Sequence, residues 1–467
     1  METHDFKRNI LKPIRLEHLA VFSIIVIGFV FYLWILTRHS LIYGIDGPYY
    51  LIQVRSLLES GQLAHGDPPL SLLLFTFFTL LVGGDMTLGV RVGVAFFSAL
   101  STVPLYFLIR KITQKEYAGY VAMLACTFSA PHIRMMNDLL KNAVGVCFLL
   151  FFVYYLHNMV FSDEGRKNML FASLFLVLTG ATHVLDFGVA LLFFSLYLVI
   201  VLVFNVHRRQ FVKAVGFISL ILGLFIAVAF IIFPSLFTSF FKGFYFLQDI
   251  FSASEQGAPI FFLFDPRGGS MTLFVLTVGV ILAVYERRIK ENREAVLVLT
   301  VTTIVGWLLC LPFIPPEWLW RFLLMEFIPV AIILGYSSSK MERKMALTIF
   351  LILVIFPLIL QSVEASKNMG PTINEKGYHE LAMMSDYIIP SNSVIVVKPQ
   401  IGYWIQYVTR CDVARTPSQE FWQSYEHVLV LIKKIPSQPY SIPPGAKMPP
   451  LFDGEMFVLF ELQKTIF

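Results

Sequence analysis

The sequence predicts an α-helical polytopic membrane protein with a small α/β domain at its C-terminal end. Three observations predict it. Of the 467 residues, 57% are hydrophobic and only 14% charged, against roughly 45–50% and about 25% in soluble globular chains. Mean hydropathy is +0.72, and apolar runs of spanning length recur throughout residues 1–365. Beyond about residue 366 prolines, serines and charges appear, with strand-like runs at Val394–Lys398 and Met456–Glu461. This balance excludes an ordinary soluble enzyme, a disordered chain and a free nucleic-acid binder. The net charge of +5 calls for a topological explanation, not a nucleic-acid partner. Cys126, Cys147, Cys310 and Cys411 show no C-x-x-C spacing, so neither a disulfide framework nor a zinc site is expected.

A spanning helix needs about 20 mostly apolar residues. Eleven segments qualify, near residues 18–37, 91–110, 117–134, 140–160, 168–185, 186–206, 213–236, 271–286, 295–314, 320–337 and 344–363. The first follows Lys7, Arg8, Lys12 and Arg15 with no small-residue cleavage site, and reads as an uncleaved anchor. Alternate loops are basic: Arg110, Lys111 and Lys115; Arg166 and Lys167; Arg208, Arg209 and Lys213; Arg287, Arg288, Lys290 and Arg293; Lys340, Arg343 and Lys344. With the N-terminal four they hold 19 of the 36 Lys and Arg, while the opposite side of the membrane part holds 8. The positive-inside rule then predicts a cytoplasmic N-terminus and, after eleven crossings, an external tail. Leu70–Val82 is apolar but only 13 residues long, a length that suits a re-entrant or interfacial segment. It stays within a first outer loop, residues 38–90. The expected organisation is a transmembrane catalytic domain over 1–365 and an extracytoplasmic α/β domain over 366–467, in a multi-pass protein of the cell membrane.

The outer loops carry the residues that suit chemistry. In Gly44-Ile45-Asp46-Gly47-Pro48-Tyr49-Tyr50, Asp46 reads as an N-cap with Pro48 in the first turn. The same carboxylate suits a proton acceptor or cation ligand at the membrane surface. The next outer loop reads Arg134-Met135-Met136-Asn137-Asp138-Leu139-Leu140-Lys141-Asn142. If helical, it places Arg134, Asp138 and Lys141 or Asn142 on one face, and polar groups entering an apolar span are costly unless they face a cavity. His183 and Asp186 stand one turn apart, either as a structural pair or as site residues. Arg321 follows Pro315-Pro316-Glu317-Trp318-Leu319-Trp320. It reads either as an interfacial Arg snorkelling beside tryptophans or as a bidentate phosphate clamp. Tyr49 and Glu317 are further candidates beside these. No Walker A, GxGxxG, HExxH or GxSxG pattern occurs in its required context.

Asp46-Gly47-Pro48-Tyr49-Tyr50 after a first span, then Pro68-Pro69-Leu70, the Gly89–Arg91 start of the next span and a short basic loop resemble the GT-C superfamily of polyprenyl-phosphate-sugar-dependent glycosyltransferases. Within it, Glu375–Met383, Ile389–Val396 and Gly402-Tyr403-Trp404-Ile405 resemble the catalytic subunit of oligosaccharyltransferases, especially archaeal ones. There the stretch introduces a WWDYG acceptor-recognition motif. Here the positions read Lys398-Pro399-Gln400-Ile401-Gly402, without the tryptophans and the aspartate, and the acidic pair of the second loop is reduced to Asn137-Asp138.

The resemblance implies a GT-C fold and an integral-membrane glycosyltransferase that moves a sugar from a polyprenyl-phosphate or diphosphate donor to a lipid, glycan or protein acceptor on the outer face. By carry-over, Asp46 and Asp138 are the loop acids and Arg321, helped by Lys141, the donor-phosphate residue; His183 is a less direct match. A divalent metal, Mg or Mn, between Asp46 and Asp138 is the cofactor it implies. With Asp46 as base opposite the leaving phosphate, the sugar inverts. Two rival readings are an oligosaccharyltransferase acting on protein asparagine and, from another class, a lipid flippase or transporter.

Overall fold

A computed structural model describes residues 16–162, 164–204, 208–232, 269–289, 292–311, 314–435 and 439–464. The chain divides into two compact units: Met1–Ile35, Gly66–Leu74 and Arg91–Asn368; and Leu36–His65, Phe75–Val90 and Met369–Phe467.

The first unit is helical. Among the described residues, seven helices are long and apolar enough to cross a membrane: Leu16–Leu36, Met86–Thr113, Leu140–Phe161, Val184–Phe204, Phe211–Ile231, Trp318–Ser338 and Lys344–Lys367. The other four expected segments also fall on helices. Segments 168–185, 271–286 and 295–314 correspond to Gly165–Thr182, Gly269–Ile289 and Arg293–Leu309. Segment 117–134 departs from expectation: it is cut into Glu116–Thr127 and Ala130–Asp138. Pro131 forces the cut, because a proline is tolerated only in the first turn of a helix and disfavours α geometry in the residue before it. Small residues bring these helices close, as expected where apolar lipid removes the hydrophobic drive. A Cβ on Gly335, in Phe327–Ser338, would lie 2.7 Å from Cβ of Ala122 in Glu116–Thr127.

Basic residues at helix ends find acids within this unit. Arg110 pairs with the buried Glu17 at 2.5 Å, and Lys340 with the buried Glu286 at 2.5 Å. Glu294 meets His157 at 3.0 Å.

The second unit gathers pieces distant in sequence. Its sheet has five strands, β1 (Ser393–Val396), β2 (Asp412–Ala414), β3 (His427–Lys433), β4 (Phe452–Asp453) and β5 (Phe457–Glu461), in the order β2-β1-β3-β5-β4. The first three neighbours are parallel and β5 runs antiparallel to β3 and β4. All four residues of β1 are buried, as a parallel strand covered on both faces requires. Both strand-like runs of the sequence are therefore strands, although the first ends at Val396, where the chain turns into the helix Pro399–Thr409. Trp404 of that helix is buried and donates from Nε1 to Thr372 Oγ1 at 3.1 Å.

The same unit holds the helix Gly47–Ser60, fastened along its length to Pro399–Thr409. Arg55 donates to the Tyr407 carbonyl at 2.7 Å and lies over its ring. Glu59 accepts from Arg410 at 3.0 Å. Ahead of the helix, the Gly44 N–H donates to the Gly370 carbonyl at 3.1 Å. Also here, the ends of Leu70–Leu81 and Met86–Leu100 meet through a tight turn with Gly83 and Gly84 at φ +83° and +96°. Asp85 accepts from the Leu88 N–H at 2.9 Å, capping the second helix.

Candidate functional site

Asp46 is placed by the start of Gly47–Ser60. Pro48 sits in the first turn, where its missing N–H costs nothing. Gly47 is buried against Ile42, whose Cγ2 would be 2.8 Å from an added Cβ. Asp46 occupies the N-cap, and its carbonyl accepts from the Tyr50 N–H at 3.2 Å, yet its carboxylate makes no capping hydrogen bond. Capping side chains need extended backbone at this position, and Asp46 has φ −86° and ψ −6°. The cap reading thus accounts for the position of Asp46 but not for its carboxylate. One turn on, the Tyr49 ring stacks on His65 at 5.7 Å and meets Tyr403 at 5.2 Å. Its hydroxyl accepts from Nε2 of the buried Gln53 at 2.8 Å. The Gln53 amide is bonded at both ends to the His65 backbone, at 2.9 and 3.2 Å, so these rings are held in place.

The remaining candidates belong to the first unit. The polar run after Arg134 is not one continuous helix face: Ala130–Asp138 ends at Leu139, with φ −132° and ψ 59°, before Leu140–Phe161 begins. That break puts Lys141 and Asn142 on a different helix from Arg134 and Asp138. Asp138 accepts from Asn137 Nδ2 at 2.6 Å. Burial raises the Asp138 carboxyl above its ordinary range, against the lowering pull of Asn137 and Arg134.

Lys141 is only 7% exposed and forms a salt bridge with Asp67. Asp186 is wholly buried, accepts from Asn142 Nδ2 at 3.3 Å, and lies against Gly145, where an added Cβ would be 2.1 Å from Oδ2. His183 closes the preceding helix. Its Nδ1 is 3.7 Å from Asp186 Oδ2, beyond hydrogen-bond range, and accepts from the Leu185 N–H at 3.2 Å.

Arg321 lies in Pro316–Leu323, its guanidinium 5.4 Å from the ring centres of both Trp318 and Trp320. Its Nε is buried with no hydrogen-bond partner among the described residues. The tryptophan contacts foreseen for an interfacial Arg are therefore present, together with unspent donor capacity. The backbone of Glu317 belongs to the same helix, while its side chain lies outside the described part of the structure.

Two acids escaped the sequence reading. Asp67 looked like a loop residue ahead of Pro68 and Pro69. Glu326 is 1% exposed, and neither carboxylate oxygen has a hydrogen-bond partner among the described residues. Its signal was available, since an acid inside an apolar span is costly and marks function by default. Among the described residues no three His, Cys, Asp or Glu side chains cluster as metal ligands. Asp46 and Asp138, in separate units, do not make such a set by themselves.

Residues 66–233 match the family described as dolichyl-phosphate-mannose-protein mannosyltransferase. No curated protein matches the chain. Among solved structures, ArnT from Cupriavidus metallidurans bound to undecaprenyl phosphate is similar at TM-score 0.63 and 11% identity, over 94% of this chain and 97% of that one. The archaeal oligosaccharyltransferase AglB from Archaeoglobus fulgidus, in complex with an inhibitory peptide and a dolichol-phosphate, matches at 0.58 and 12%, over 88% and 69%. The arabinofuranosyltransferase AftD from Mycobacteria matches at 0.53 and 12%, over 96% of this chain and 40% of that one.

Proposed function

We propose that this chain, a membrane glycosyltransferase of the GT-C fold, transfers a sugar with inversion from a polyprenyl-phosphate or diphosphate carrier to an acceptor hydroxyl on the extracytoplasmic face. The observation that carries this reading is the Asp46 carboxylate, held at a helix start without being used to cap it. In the reaction the acceptor hydroxyl gives its proton to Asp46 as its oxygen bonds to the anomeric carbon. The bond from that carbon to the carrier phosphate breaks, and the electron pair leaves with the phosphate. Arg321 stabilises the growing negative charge, since a guanidinium offers two parallel donors to phosphate oxygens. Asp138 is the second-loop acid, its carboxyl raised above the ordinary carboxylate range by burial.

The donor role of Arg321 is tested by binding of a polyprenyl phosphate to purified protein. Arg321→Lys keeps the charge but loses the fork and the planar contact with Trp318 and Trp320, so affinity falls. Arg321→Ala costs more, about 1.5–3 kcal/mol for one charge-assisted pair. Equal affinity in wild type and the Ala variant removes the role.

The outward placement of the tail rests on the basic loops. An impermeant thiol reagent on intact cells then labels Gln419→Cys, an exposed position. Labelling only after lysis reverses the topology.

A further inference from the structure

Lys141 is the residue the resemblance offers as a helper for the donor phosphate, and in this structure it is already occupied. Its ammonium donates to Asp67 Oδ2. The pair is well shielded: the Lys141 side chain is 8% exposed and that of Asp67 16%. The two residues stand 74 positions apart, one in the first turn of Leu140–Phe161 and the other in the irregular stretch before Leu70–Leu81.

A lysine at that position is a poor choice for the helix alone. The N-terminal end of a helix carries partial positive charge and disfavours a cation in its first turn. A shielded ammonium there needs an anion nearby. Asp186, within electrostatic reach of Lys141, is not its hydrogen-bonded partner: one of its oxygens accepts from Asn142, and the other has no hydrogen-bond partner among the described residues. The anion that the site takes is the carboxylate of Asp67.

A carboxylate and a phosphate monoanion are interchangeable in this role, because both accept charge-assisted hydrogen bonds from an ammonium. We propose that Asp67 is an internal stand-in for the donor phosphate: it occupies Lys141 until the polyprenyl phosphate arrives and is then exchanged for it. This rests on the glycosyltransferase reading and on Lys141 as a phosphate residue. The exchange balances without a proton. One anion leaves the ammonium and another takes its place, while Asp67, on a non-helical stretch just before Pro68, turns toward water. The device keeps a shielded cation satisfied whenever no phosphate is bound. It also makes donor binding weaker than Lys141 alone would give, because the phosphate must displace a bound competitor. Asp67 is a positioning residue, not a catalytic one.

The sign of one substitution tests it. Full-length protein in nanodiscs is titrated with undecaprenyl phosphate as the probe. Removing the competitor by Asp67→Asn, which keeps shape and a hydrogen-bonding oxygen, raises affinity about tenfold, and the thermal stabilisation given by saturating probe becomes larger than in wild type. Lys141→Met lowers affinity, and the Asp67→Asn/Lys141→Met double variant binds like Lys141→Met alone. If Asp67→Asn binds the probe no better than wild type while Lys141→Met still weakens binding, Asp67 merely holds Lys141 in place and the exchange is wrong. If Lys141→Met leaves affinity unchanged, the phosphate role of Lys141 itself is wrong, a failure distinguishable from the first. If Asp67→Asn is poorly folded, Asp67→Ser supplies the same comparison with a smaller side chain.

Discussion

Replacing Asp46 by Asn is expected to lower turnover by roughly 10²-fold or more, the usual scale for loss of a general base, while leaving the thermal midpoint nearly unchanged. The two halves of that expectation come from different facts. Asn and Asp are equivalent at an N-cap, and the Asp46 carboxylate makes no capping bond that could be lost. Asn has no basic oxygen at neutral pH, so it cannot take the acceptor's proton. Donor affinity should survive, because Arg321 and not Asp46 is assigned to the phosphate. The measurement is initial rate against acceptor concentration with saturating lipid-linked donor, beside a melting curve of the same preparation. Near-normal transfer by a well-folded Asp46→Asn protein would return Asp46 to a purely structural residue and send the search for the base to Asp138 or Asp186.

Among the glycines of the described residues, Gly89 is where replacement by Ala is expected to be most damaging, because the neighbour it meets is backbone. An added Cβ would lie 2.4 Å from the Thr79 Cα and 2.5 Å from its backbone nitrogen. Backbone cannot turn aside as a side-chain tip can, so the two helices joined by Gly83 and Gly84 must separate. Overpacking typically costs about 1–3 kcal/mol and occasionally more, and a clash with backbone belongs at the upper end, a large share of a typical folding stability of about 5–15 kcal/mol. Gly188→Ala is the control: nothing lies within 4 Å of its added Cβ, and alanine favours a helix by about 1 kcal/mol over glycine. Comparable yield and melting temperature for Gly89→Ala and Gly188→Ala would refute the close approach at Thr79.

Hydropathy was enough to place every expected apolar segment that the structure describes on a helix, because lipid demands that backbone groups be satisfied within the segment. It failed at Ser129-Ala130-Pro131 and at Leu139, where local backbone geometry outweighed the apolar run. The strands at Ser393–Val396 and Phe457–Glu461 were readable from β-branched and aromatic residues. Gly89 was visible as part of a Gly-Val-Arg signature, but its reason, the Thr79 backbone, was not. The partners of Lys141 and Arg55 were equally hidden. A contact between residues 74 or 352 positions apart leaves no local pattern in a single sequence. Asp46 could be singled out, since an acid ahead of Gly-Pro announces a helix start. Whether its carboxylate would cap that helix depended on φ and ψ, which composition does not encode.

The fastening of Gly47–Ser60 to Pro399–Thr409 has a consequence for biosynthesis. The helix that follows Asp46 is made well before its partner: Tyr407, which receives Arg55, comes 352 residues later. At about 5–20 residues per second the interval is on the order of 20–70 s. Throughout that time the acid-bearing helix has its near neighbour His65 but not the distant helix that receives Arg55, and chains that stop short of residue 407 never acquire that contact. Synthesis through residue 407 therefore acts as a licence for the acid-bearing helix: a membrane-inserted chain presents its helices to the bilayer before Arg55 meets the carbonyl that fastens it.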